Sequence, residues 1–408
     1  MSIYGLLGEK LPHSFSPQIH ARLGAYEYRL FEVRPEDLRA FMTARDFDGI
    51  NVTIPYKKSV IPYCATLSDR ARRIGSVNTI LRRADGSLHG HNTDYDGFET
   101  LLEMIGFDPA GKKAVILGSG GSSATVRAAL EDRKASEIIV ISRSGENNYQ
   151  NLRLHKNAAL VVNTTPVGMY PGNGVSPVSL NAFPACEAVI DIVYNPAKTR
   201  LLLDAEEKGI RHIGGLPMLV SQAKSAAELF TDKPIGDGLI AEITELILKQ
   251  TKNILLIGMP SSGKTTVGTM LAQMTDREFI DTDTIIAGKT NRDVPEIIET
   301  DGEAAFRKLE TEALAEVSKL SGKVIATGGG IVTVAENLPL IRQNSVCVFL
   351  NRDIGKLSGE GRPLSRKYGA ETLYRERLPL YRTWCEHEVD SNQSIEQTAA
   401  AVKEALKL

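Results

Sequence analysis

The stretch that decides the fold is Asn253-Ile-Leu-Leu-Ile-Gly-Met-Pro-Ser-Ser-Gly-Lys-Thr265, an apolar run that ends in a glycine turn. An earlier stretch, Ala114-Val-Ile-Leu-Gly-Ser-Gly-Gly-Ser-Ser123, has the same arrangement. Each stretch predicts a buried parallel strand, a tight turn and then a helix. Other short apolar runs, with helical patterns between them, continue along the chain. The sequence therefore predicts an α/β protein with parallel sheets.

The composition is that of an ordinary globular chain of 408 residues, for which two or three domains are expected. Its net charge of −2 gives no general attraction to nucleic acid or to an anionic membrane. No apolar run approaches the ~20 residues that span a bilayer, and the N-terminus has no signal-peptide pattern. The four cysteines are scattered without a CxxC pair, as is typical of the reducing cytosol. We therefore expect a cytoplasmic protein without nucleic-acid or membrane partners, and the sequence leaves its oligomeric state open.

The later glycine turn matches the phosphate-binding pattern GxxxxGK[ST] in full, from Gly258 to Thr265. Backbone N–H groups of such a loop wrap around phosphates, and the helix that follows adds its positive dipole. In this pattern Lys264 reaches the β- and γ-phosphates, and the Thr265 hydroxyl holds Mg²⁺. The predicted ATP-binding residues of the loop are Gly258, Ser261, Ser262, Gly263, Lys264, Thr265 and Thr266.

Several polar motifs follow the phosphate loop, and each alone is a weak signal. Asp281 and Asp283 end a strand-like run, where the spacing i, i+2 predicts that they share one strand face and serve Mg²⁺ and a substrate hydroxyl. Arg307 and Glu310 are one helical turn apart, for which a surface ion pair is the alternative interpretation. A glycine triplet, an Arg-Pro-Leu sequence and an Arg-x-Pro-Leu-Tyr sequence contribute Gly328, Gly329, Gly330, Arg362 and Arg377.

In this order and spacing, the motifs from Asn253 to the C-terminus resemble those of the shikimate kinase family. The resemblance implies a P-loop domain, similar to nucleoside monophosphate kinases, that phosphorylates shikimate with MgATP. It implies that Asp281 joins Thr265 in holding Mg²⁺ and that Asp283 and Lys264 act in catalysis. The implied shikimate-binding residues are Asp283, Arg307, Gly328, Gly329, Gly330 and Arg377, and the implied lid residue over ATP is Arg362. The segment from Asp353 to Arg362 is short for such a lid and contains no second arginine.

Four short polar motifs precede the earlier glycine turn. They are Ser14-Phe-Ser16-Pro17, Gly49-Ile-Asn-Val-Thr-Ile-Pro-Tyr-Lys57, Gly75-Ser-Val-Asn78-Thr79 and His91-Asn-Thr-Asp94. By composition the third and fourth are ordinary turns, and Ser16 ahead of a proline fits a helix N-cap. The second is a strand-like run that stops at Pro55, with Lys57 two residues later. For Lys57 and Asp94, an ordinary ion pair is the alternative to a catalytic role.

Together with NTTPVGM at Asn163–Met169 and PMLVxQA at Pro217–Ala223, these motifs resemble the shikimate dehydrogenase family over about Met1 to Lys249. The resemblance implies an active-site cleft between a substrate domain and a Rossmann-like domain. Lys57 and Asp94 are the implied catalytic pair, since an ammonium beside a ketone oxygen stabilises the developing negative charge and can donate the proton. The implied substrate-binding residues are Ser14, Ser16, Thr53, Asn78, Tyr194 and Gln222.

The earlier glycine turn is the expected dinucleotide site, because it follows a predicted strand and opens a predicted helix. A basic residue after the next strand accommodates the 2′-phosphate of NADP, whereas an acidic residue would bind the ribose of NAD. That residue is Arg143, so NADP is the predicted cofactor. The predicted NADP-binding residues are Gly118, Gly120, Gly121, Ser142, Arg143, Ser144 and Gly215.

The whole sequence predicts three domains. Residues 1–92, with return helices at 216–250, form the substrate domain, and residues 93–215 form a Rossmann-like domain that is trimmed between Arg143 and Asn163. Residues 251–408 form the kinase domain. The chain is then a bifunctional enzyme of chorismate biosynthesis that reduces 3-dehydroshikimate with NADPH and phosphorylates shikimate with MgATP. Two alternatives stay open: an NAD-dependent quinate/shikimate dehydrogenase joined to a kinase of another small polyol, and a non-catalytic binding module.

Overall fold

The computed structural model describes residues 2–11, 14–357 and 368–408. The chain folds as two compact units. The first unit contains Met1–Met169, Val175–Tyr194 and Asp204–Leu246, and the second contains Tyr170–Gly174, Asn195–Leu203 and Ile247–Leu408. This division does not decide the three predicted domain limits, which stay predictions. Within the described residues, no helix combines the length and the apolar character needed to cross a bilayer.

The first sheet of the first unit has six strands, which are β1 Ile3–Gly8, β2 Glu27–Glu32, β3 Gly49–Val52, β4 Thr66–Leu67, β5 Thr79–Arg82 and β6 Leu88–His91. Their order is β2-β1-β3-β5-β6-β4. The helices along this stretch are α1 Ser16–Leu23, α2 Leu38–Ala44 and α3 Asp69–Ile74.

Strand β5 runs antiparallel to both of its neighbours, β3 and β6, although the sequence predicted parallel pairs. For the β5–β6 pair the reason is a tight turn after β5. Gly86 has a positive φ of 79°, and the Ser87 N–H donates a hydrogen bond of 2.9 Å to Asp85 Oδ1. Such a short connection joins strands as a hairpin, and hairpin strands are antiparallel.

The second sheet of the first unit is entirely parallel. It is built from β7 Lys113–Leu117, β8 Glu137–Ile141, β9 Leu160–Asn163, β10 Ala188–Asp191 and β11 Arg211–Gly214, in the order β11-β10-β9-β7-β8. The helices of this region are α4 Asp94–Met104, α5 Gly121–Asp132 and α6 Arg200–Glu207. Between β8 and β9 the chain forms a 3₁₀ turn, Leu152–His155, in the interval that the sequence showed to be short. Strands β8 and β9 lie on opposite sides of β7, so the order of strands along the sheet changes direction there. Ligands bind beyond the carboxyl ends of the strands at such a point.

Two helices follow β11, namely α7 Leu216–Thr231 and α8 Gly238–Thr251. Helix α7 packs against α4, where a Cβ on Gly97 would lie 2.7 Å from Met218 O. The same helix reaches the first sheet, because Phe230 stacks on Tyr4 with ring centroids 4.6 Å apart. Helix α7 therefore connects the elements of the first sheet with those that follow β6.

The sheet of the second unit is also parallel, with strands β12 Asn253–Ile257, β13 Phe279–Asp281, β14 Val324–Ala326, β15 Ser345–Asn351 and β16 His387–Asp390 in the order β13-β14-β12-β15-β16. Both faces are covered, since Leu255 and Ile257 pack in one hydrophobic cluster while Ile254 and Leu256 pack in another. The surrounding helices are α9 Lys264–Thr275, α10 Thr282–Thr290, α11 Val294–Asp301, α12 Glu303–Val317, α13 Asn337–Asn344, α14 Ala370–Trp384 and α15 Ile395–Ala405.

Candidate active sites

The first site is centred on an ion pair between Lys57 and Asp94. Lys57 Nζ lies 2.6 Å from Asp94 Oδ2, and the two side chains are 23% and 12% exposed. Lys57 follows β3, where its carbonyl accepts a hydrogen bond of 2.8 Å from the Val77 N–H. Asp94 is the first residue of α4. The pair is therefore held by two separate elements and is partly shielded from solvent.

Asn78 fixes the other oxygen of Asp94. Its side chain is buried, and its amide donates hydrogen bonds of 3.0 Å to Asp94 Oδ1 and 3.0 Å to Thr93 Oγ1. In return, the Thr93 N–H donates to Asn78 Oδ1 at 2.7 Å. Gln222 Oε1 lies 3.4 Å from the same amide. Because both carboxylate oxygens of Asp94 are engaged, the carboxylate has a fixed orientation toward Lys57.

The pair faces a cleft of about 640 Å³ within the first unit. The cleft is lined by the six residues predicted to bind substrate, by the catalytic pair and by one predicted cofactor residue, namely Ser14, Ser16, Thr53, Asn78, Tyr194, Gln222, Lys57, Asp94 and Gly215. The N-cap of α1 is Phe15, so Ser16 does not take the capping position that was the alternative for it. Residues far apart in sequence thus meet around one cavity.

Asn51 also lines the cleft and was missed as a site residue, although it lies in the quoted motif before Lys57. Its Oδ1 accepts a hydrogen bond of 2.7 Å from the Tyr28 hydroxyl, and its amide donates to Thr79 Oγ1 at 3.1 Å. Behind it, the His20 ring stacks on Tyr28 with centroids 3.8 Å apart. Burial lowers the pKa of His20 to about 3, so this histidine stays neutral.

The predicted dinucleotide turn lies after β7. Gly118 has a φ of +102°, and a Cβ there would lie 2.9 Å from Thr164 Oγ1. Gly120 is the N-cap of α5 and Gly121 is its first residue, with open space around the Gly120 position. At Gly215, a Cβ would lie 2.0 Å from Ile192 O, so a larger residue does not fit. The glycines therefore allow close backbone contacts beside the start of a helix, as a dinucleotide requires.

Arg143 follows β8, next to this turn, and is exposed together with Ser144. The Ser142 N–H donates to Asn147 O at 3.1 Å and closes a tight loop. The Asn151 amide donates to Glu146 O at 2.8 Å, and His155 Nε2 lies 3.0 Å from Asn147 Oδ1. Side-chain hydrogen bonds thus order the loop that carries Arg143.

The second site begins at the phosphate loop between β12 and α9. Gly258, Ser261 and Gly263 all have positive φ values, of 150°, 65° and 93°. Lys264 is buried, and its Nζ donates hydrogen bonds to Gly258 O at 3.0 Å and to Met259 O at 2.8 Å. Ser262 is also buried, and the Thr266 hydroxyl donates to Gly263 O at 3.0 Å. The loop is therefore curled around its own lysine, in the form that presents backbone N–H groups to phosphates.

Thr265 and Asp281 come together at the end of this loop. The Thr265 hydroxyl donates a hydrogen bond of 2.8 Å to Asp281 Oδ2. Asp281 Oδ1 accepts from the Asp283 N–H at 3.0 Å and so caps α10. The expectation that the two aspartates share one strand face was wrong, because β13 ends at Asp281 and Asp283 lies in the first turn of a helix. Hydroxyl and carboxylate oxygens are nonetheless the ligands that Mg²⁺ prefers.

Arg307 and Glu310 form a buried pair rather than a surface pair. The guanidinium donates to the Glu310 carboxylate and, at 2.9 Å, to Glu303 Oε1, while the Arg307 and Glu310 side chains are 11% and 0% exposed. Burial opposes the charge on Arg307, but the carboxylates of Glu310 and Glu303 outweigh it and raise the pKa of the guanidinium. Burial raises the pKa of Glu310, and Arg307 offsets this only in part. Glu310 was predicted only as a partner of Arg307, and its position makes it part of the site.

The glycine triplet lies directly against these charged groups. A Cβ on Gly328 would lie 2.0 Å from Glu310 Oε1 and 3.3 Å from Asp283 Oδ1, and one on Gly330 would lie 2.1 Å from Arg307 Nη1. Gly329 O accepts a hydrogen bond of 3.2 Å from Arg377 Nη1 and another from the Tyr381 hydroxyl. The structure therefore brings Asp283, Arg307, Arg377 and the triplet together. Arg362 lies outside the described residues.

The fold and the two sites define the class of this protein. The first unit carries a lysine–aspartate pair in a cleft beside a dinucleotide-type glycine turn, as in reductases of two-domain α/β fold. The second unit carries a phosphate loop beside two arginines and an aspartate, as in P-loop kinases of small molecules. Residues 6–80 match the family model "Shikimate dehydrogenase substrate binding domain", and residues 260–407 match the model "Shikimate kinase".

Relatives in sequence agree with the first match. A shikimate dehydrogenase (NADP(+)) of Clostridium perfringens is 35% identical over 269 residues, which cover 60% of this chain and 98% of the relative. That of Clostridium beijerinckii is 38% identical over 261 residues, covering 59% of this chain and 95% of the relative. The chain therefore belongs to the shikimate dehydrogenase family over its N-terminal 60%, and a shikimate kinase domain follows. It is a bifunctional shikimate-pathway enzyme, an oxidoreductase and a phosphotransferase.

Solved structures give the same result. Shikimate dehydrogenase 1 of Peptoclostridium difficile is 37% identical with a TM-score of 0.56, covering 60% of this chain and 97% of that one. A chorismate mutase/shikimate 5-dehydrogenase fusion protein of Clostridium acetobutylicum is 38% identical, with a TM-score of 0.57 and coverage of 60% and 96%. The shikimate 5-dehydrogenase of Thermus thermophilus in complex with NADP(H) and shikimate is 32% identical, with a TM-score of 0.55 and coverage of 60% and 99%.

Proposed function

We propose that the first unit reduces 3-dehydroshikimate to shikimate with NADPH, and that the second transfers the γ-phosphoryl group of ATP to the 3-hydroxyl of shikimate in the presence of Mg²⁺. The observation that carries the proposal is the convergence of Lys57, Asp94 and all six predicted substrate residues on one cleft. The Thermus thermophilus relative, which was solved with NADP(H) and shikimate, supports the same pair of ligands.

In the reductase site, Lys57 is the proton donor. When bound, NADPH supplies the hydride that reduces the ketone. Negative charge then develops on the ketone oxygen, and the Lys57 ammonium stabilises it and donates the proton. Asp94, with its second oxygen bonded to Asn78, keeps the ammonium pointed at this position.

The cleft also has groups for the rest of the substrate. The hydroxyls of Ser14, Ser16 and Thr53 are assigned to the carboxylate, because hydroxyl donors bind an anion without bringing a second charge near Lys57. Asn78 and Gln222 are assigned to the substrate hydroxyls, for which their amides offer both donors and acceptors. Tyr194 also lines the cleft.

Arg143 is assigned to the 2′-phosphate of NADP, with Ser142 and Ser144 as additional donors. A guanidinium pairs with a phosphate through two parallel hydrogen bonds, which an NAD ribose does not offer. Gly120 and Gly121 have open or nearly open space where a Cβ would stand, which leaves room for the pyrophosphate, while Gly118 and Gly215 allow the close backbone contacts beside it. The relatives that carry NADP(+) in their names support this choice.

In the kinase site, phosphoryl transfer depends on position and charge more than on covalent chemistry. Lys264 and the N–H groups of the loop bind the phosphates, and Arg362 is assigned to the lid over ATP. The pair of oxygens from Thr265 and Asp281, joined by the 2.8 Å hydrogen bond, fits a hard cation, and Mg²⁺ would neutralise phosphate charge there. Asp283 accepts the proton of the attacking hydroxyl, while Arg307 and Arg377 bind the shikimate carboxylate.

We place this activity in the cytoplasm. All four cysteines are free thiols, and they lie apart without a disulfide, which fits a reducing compartment. The two sites take small molecules, and the net charge of −2 offers no general attraction to nucleic acid or to a membrane surface.

A substrate panel tests the proposal. We expect NADPH oxidation with 3-dehydroshikimate and, in a separate assay, ADP release from ATP with shikimate, each with a much higher kcat/KM than any alternative. Quinate with NAD⁺ and other small polyols with ATP are the competing substrates, since a quinate dehydrogenase from Corynebacterium glutamicum in complex with NAD is also similar, at 28% identity and a TM-score of 0.55. Preference for quinate and NAD⁺ would refute the dehydrogenase assignment.

A further inference from the structure

Arg352 follows β15 directly and lies beside the phosphate loop. Strand β15 pairs in parallel with β12, and a Cβ on Gly258 would lie 2.7 Å from Leu350 O. At the other end of the loop, a Cβ on Gly263 would lie 3.8 Å from Arg352 Nη1. The guanidinium is therefore in van der Waals range of a side chain placed at the glycine that precedes Lys264, beside the open face of the loop.

Within residues 2–11, 14–357 and 368–408, no acceptor is recorded for the Arg352 guanidinium. Among the residues that the structure describes, it takes part in no ion pair or hydrogen bond, and its Nε is buried without a partner. The acidic groups of the adjoining strand are engaged elsewhere, since Glu388 accepts from Arg382 and Asn351, and Asp390 accepts from Asn392. A partly buried cation without a partner costs free energy unless an anion completes it.

The backbone on both sides of Arg352 is fixed. The Asp353 N–H donates a hydrogen bond of 3.0 Å to Asn392 Oδ1, and the Ser391 N–H donates to Asn351 O at 2.8 Å. These bonds attach the end of β15 to the loop that follows β16. A side chain on such a held segment loses less freedom when a ligand binds, which favours affinity.

We propose that Arg352 is a nucleotide-binding residue whose guanidinium binds the α- and β-phosphates of the phosphoryl donor. The proposal rests on the kinase function proposed above. A planar guanidinium can pair with two phosphate oxygens at once, and this position adds a second positive charge beside the phosphate loop. No other arginine occurs in the sequence from Asp353 up to Arg362.

The test is a fluorescence titration of the full chain with N-methylanthraniloyl-ADP. In Arg352→Gln we expect the dissociation constant to rise roughly tenfold or more, as for loss of a charge-assisted hydrogen bond. Inorganic tripolyphosphate, which has phosphates but no base, should lose competing strength by a similar factor. The matched control is Arg375→Gln, which removes an 81% exposed arginine and should bind both probes like the wild type. Arg352→Lys keeps the positive charge but cannot form two parallel hydrogen bonds. Its dissociation constant should lie between those of the wild type and Arg352→Gln.

Two results would overturn the proposal while leaving the kinase assignment intact. One is wild-type affinity in Arg352→Gln together with lost affinity in Lys264→Ala. The other is weaker ADP binding with unchanged tripolyphosphate competition, which would mean that Arg352 contacts the base. Failure of the wild type to bind either probe would instead refute the kinase function itself. Far-UV circular dichroism and thermal unfolding of each variant serve as the measure of folded protein, because the dehydrogenase rate reports only on the first unit.

Discussion

Lys57 and Asp94 are 37 residues apart in sequence, yet Lys57 Nζ lies 2.6 Å from Asp94 Oδ2. The second oxygen of Asp94 is bonded to buried Asn78, so the carboxylate cannot turn away from the lysine. The pair is built to hold one ammonium in one place, at the edge of the cleft. This relationship is the basis of the first prediction.

Lys57→Ala should lower the kcat for 3-dehydroshikimate reduction by about 10²-fold or more, with little change in KM, because its main interaction is made in the transition state. Steady-state NADPH oxidation measures the effect. Lys58→Ala removes the neighbouring exposed lysine and should retain wild-type kcat. Wild-type turnover by Lys57→Ala would show that another group donates the proton.

Arg143→Ala should raise the KM for NADPH roughly tenfold while leaving the KM for NADH nearly unchanged, since NADH has no phosphate at this position. Initial rates with both cofactors give the comparison. As a control, Arg127→Ala removes an arginine that is paired with Glu131 on the surface, and it should leave both values as they are. Equal use of NADH and NADPH by the wild type would contradict the assignment of Arg143 to the 2′-phosphate of NADP.

Two substitutions in the shikimate site of the kinase should affect binding and turnover separately. Arg307→Lys should raise the KM for shikimate roughly tenfold with ATP binding retained, because a lysine cannot form the bidentate pair with a carboxylate. Asp283→Asn should instead remove most of kcat, because an amide can orient a hydroxyl but cannot take its proton.

Arg292→Lys is the matched control for this site, since Arg292 forms a more exposed ion pair with Asp301. We expect its shikimate KM to equal that of the wild type. An unchanged KM in Arg307→Lys as well would mean that Arg307 serves only its pairs with Glu303 and Glu310 and that the carboxylate binds elsewhere.

The stability of the first unit should depend on pH through His20. Burial lowers the pKa of His20 to about 3 from an ordinary 6.5. Below about pH 6.5 the His20 imidazole is therefore protonated in the unfolded chain but stays neutral in the folded chain. The stabilising contribution is present above pH 6.5 and is lost toward pH 3, at about 1.4 kcal/mol per pH unit.

His20→Gln should remove the loss of stability that the wild type shows as the pH falls below 6.5. We expect the variant to be less stable than the wild type at about pH 7.5, because the ring stack on Tyr28 is gone, and the difference to shrink toward about pH 5.5. The urea concentration that halves dehydrogenase activity is the measurement. A difference that stays constant between the two pH values would contradict the account of His20.

Much of the fold could be predicted because local signals agree with the tertiary structure. The runs before Gly118 and Gly258 are apolar throughout, as parallel strands covered on both faces must be, and a helix follows each glycine turn. The antiparallel β5 was missed, because its direction depends on the turn at Asp85 and Gly86 rather than on its own apolar pattern. Asp283 was placed on a strand because a spacing of two residues does not reveal that Asp281 caps a helix.

Roles could be predicted for site residues that lie in motifs, but not for those whose partners are distant in sequence. Motifs that carry chemistry in their own sequence, such as Lys264 and Thr265 after the glycine turn, could be assigned directly. Asn51 and Glu310 could not, since their importance comes from partners distant in sequence, Tyr28 for one and the glycine triplet for the other. Arg352 gave no signal at all, because its position beside Gly263 follows from the pairing of β15 with β12.

The central claim is that the product of one site is the substrate of the other, and a single reaction mixture tests it most directly. With 3-dehydroshikimate, NADPH and MgATP, the wild type should release ADP only when NADPH is present. Lys57→Ala should release ADP at least about 10²-fold more slowly until shikimate is added, and Lys264→Ala should oxidise NADPH without releasing ADP. ADP release from 3-dehydroshikimate without NADPH, or none from added shikimate, would contradict the account.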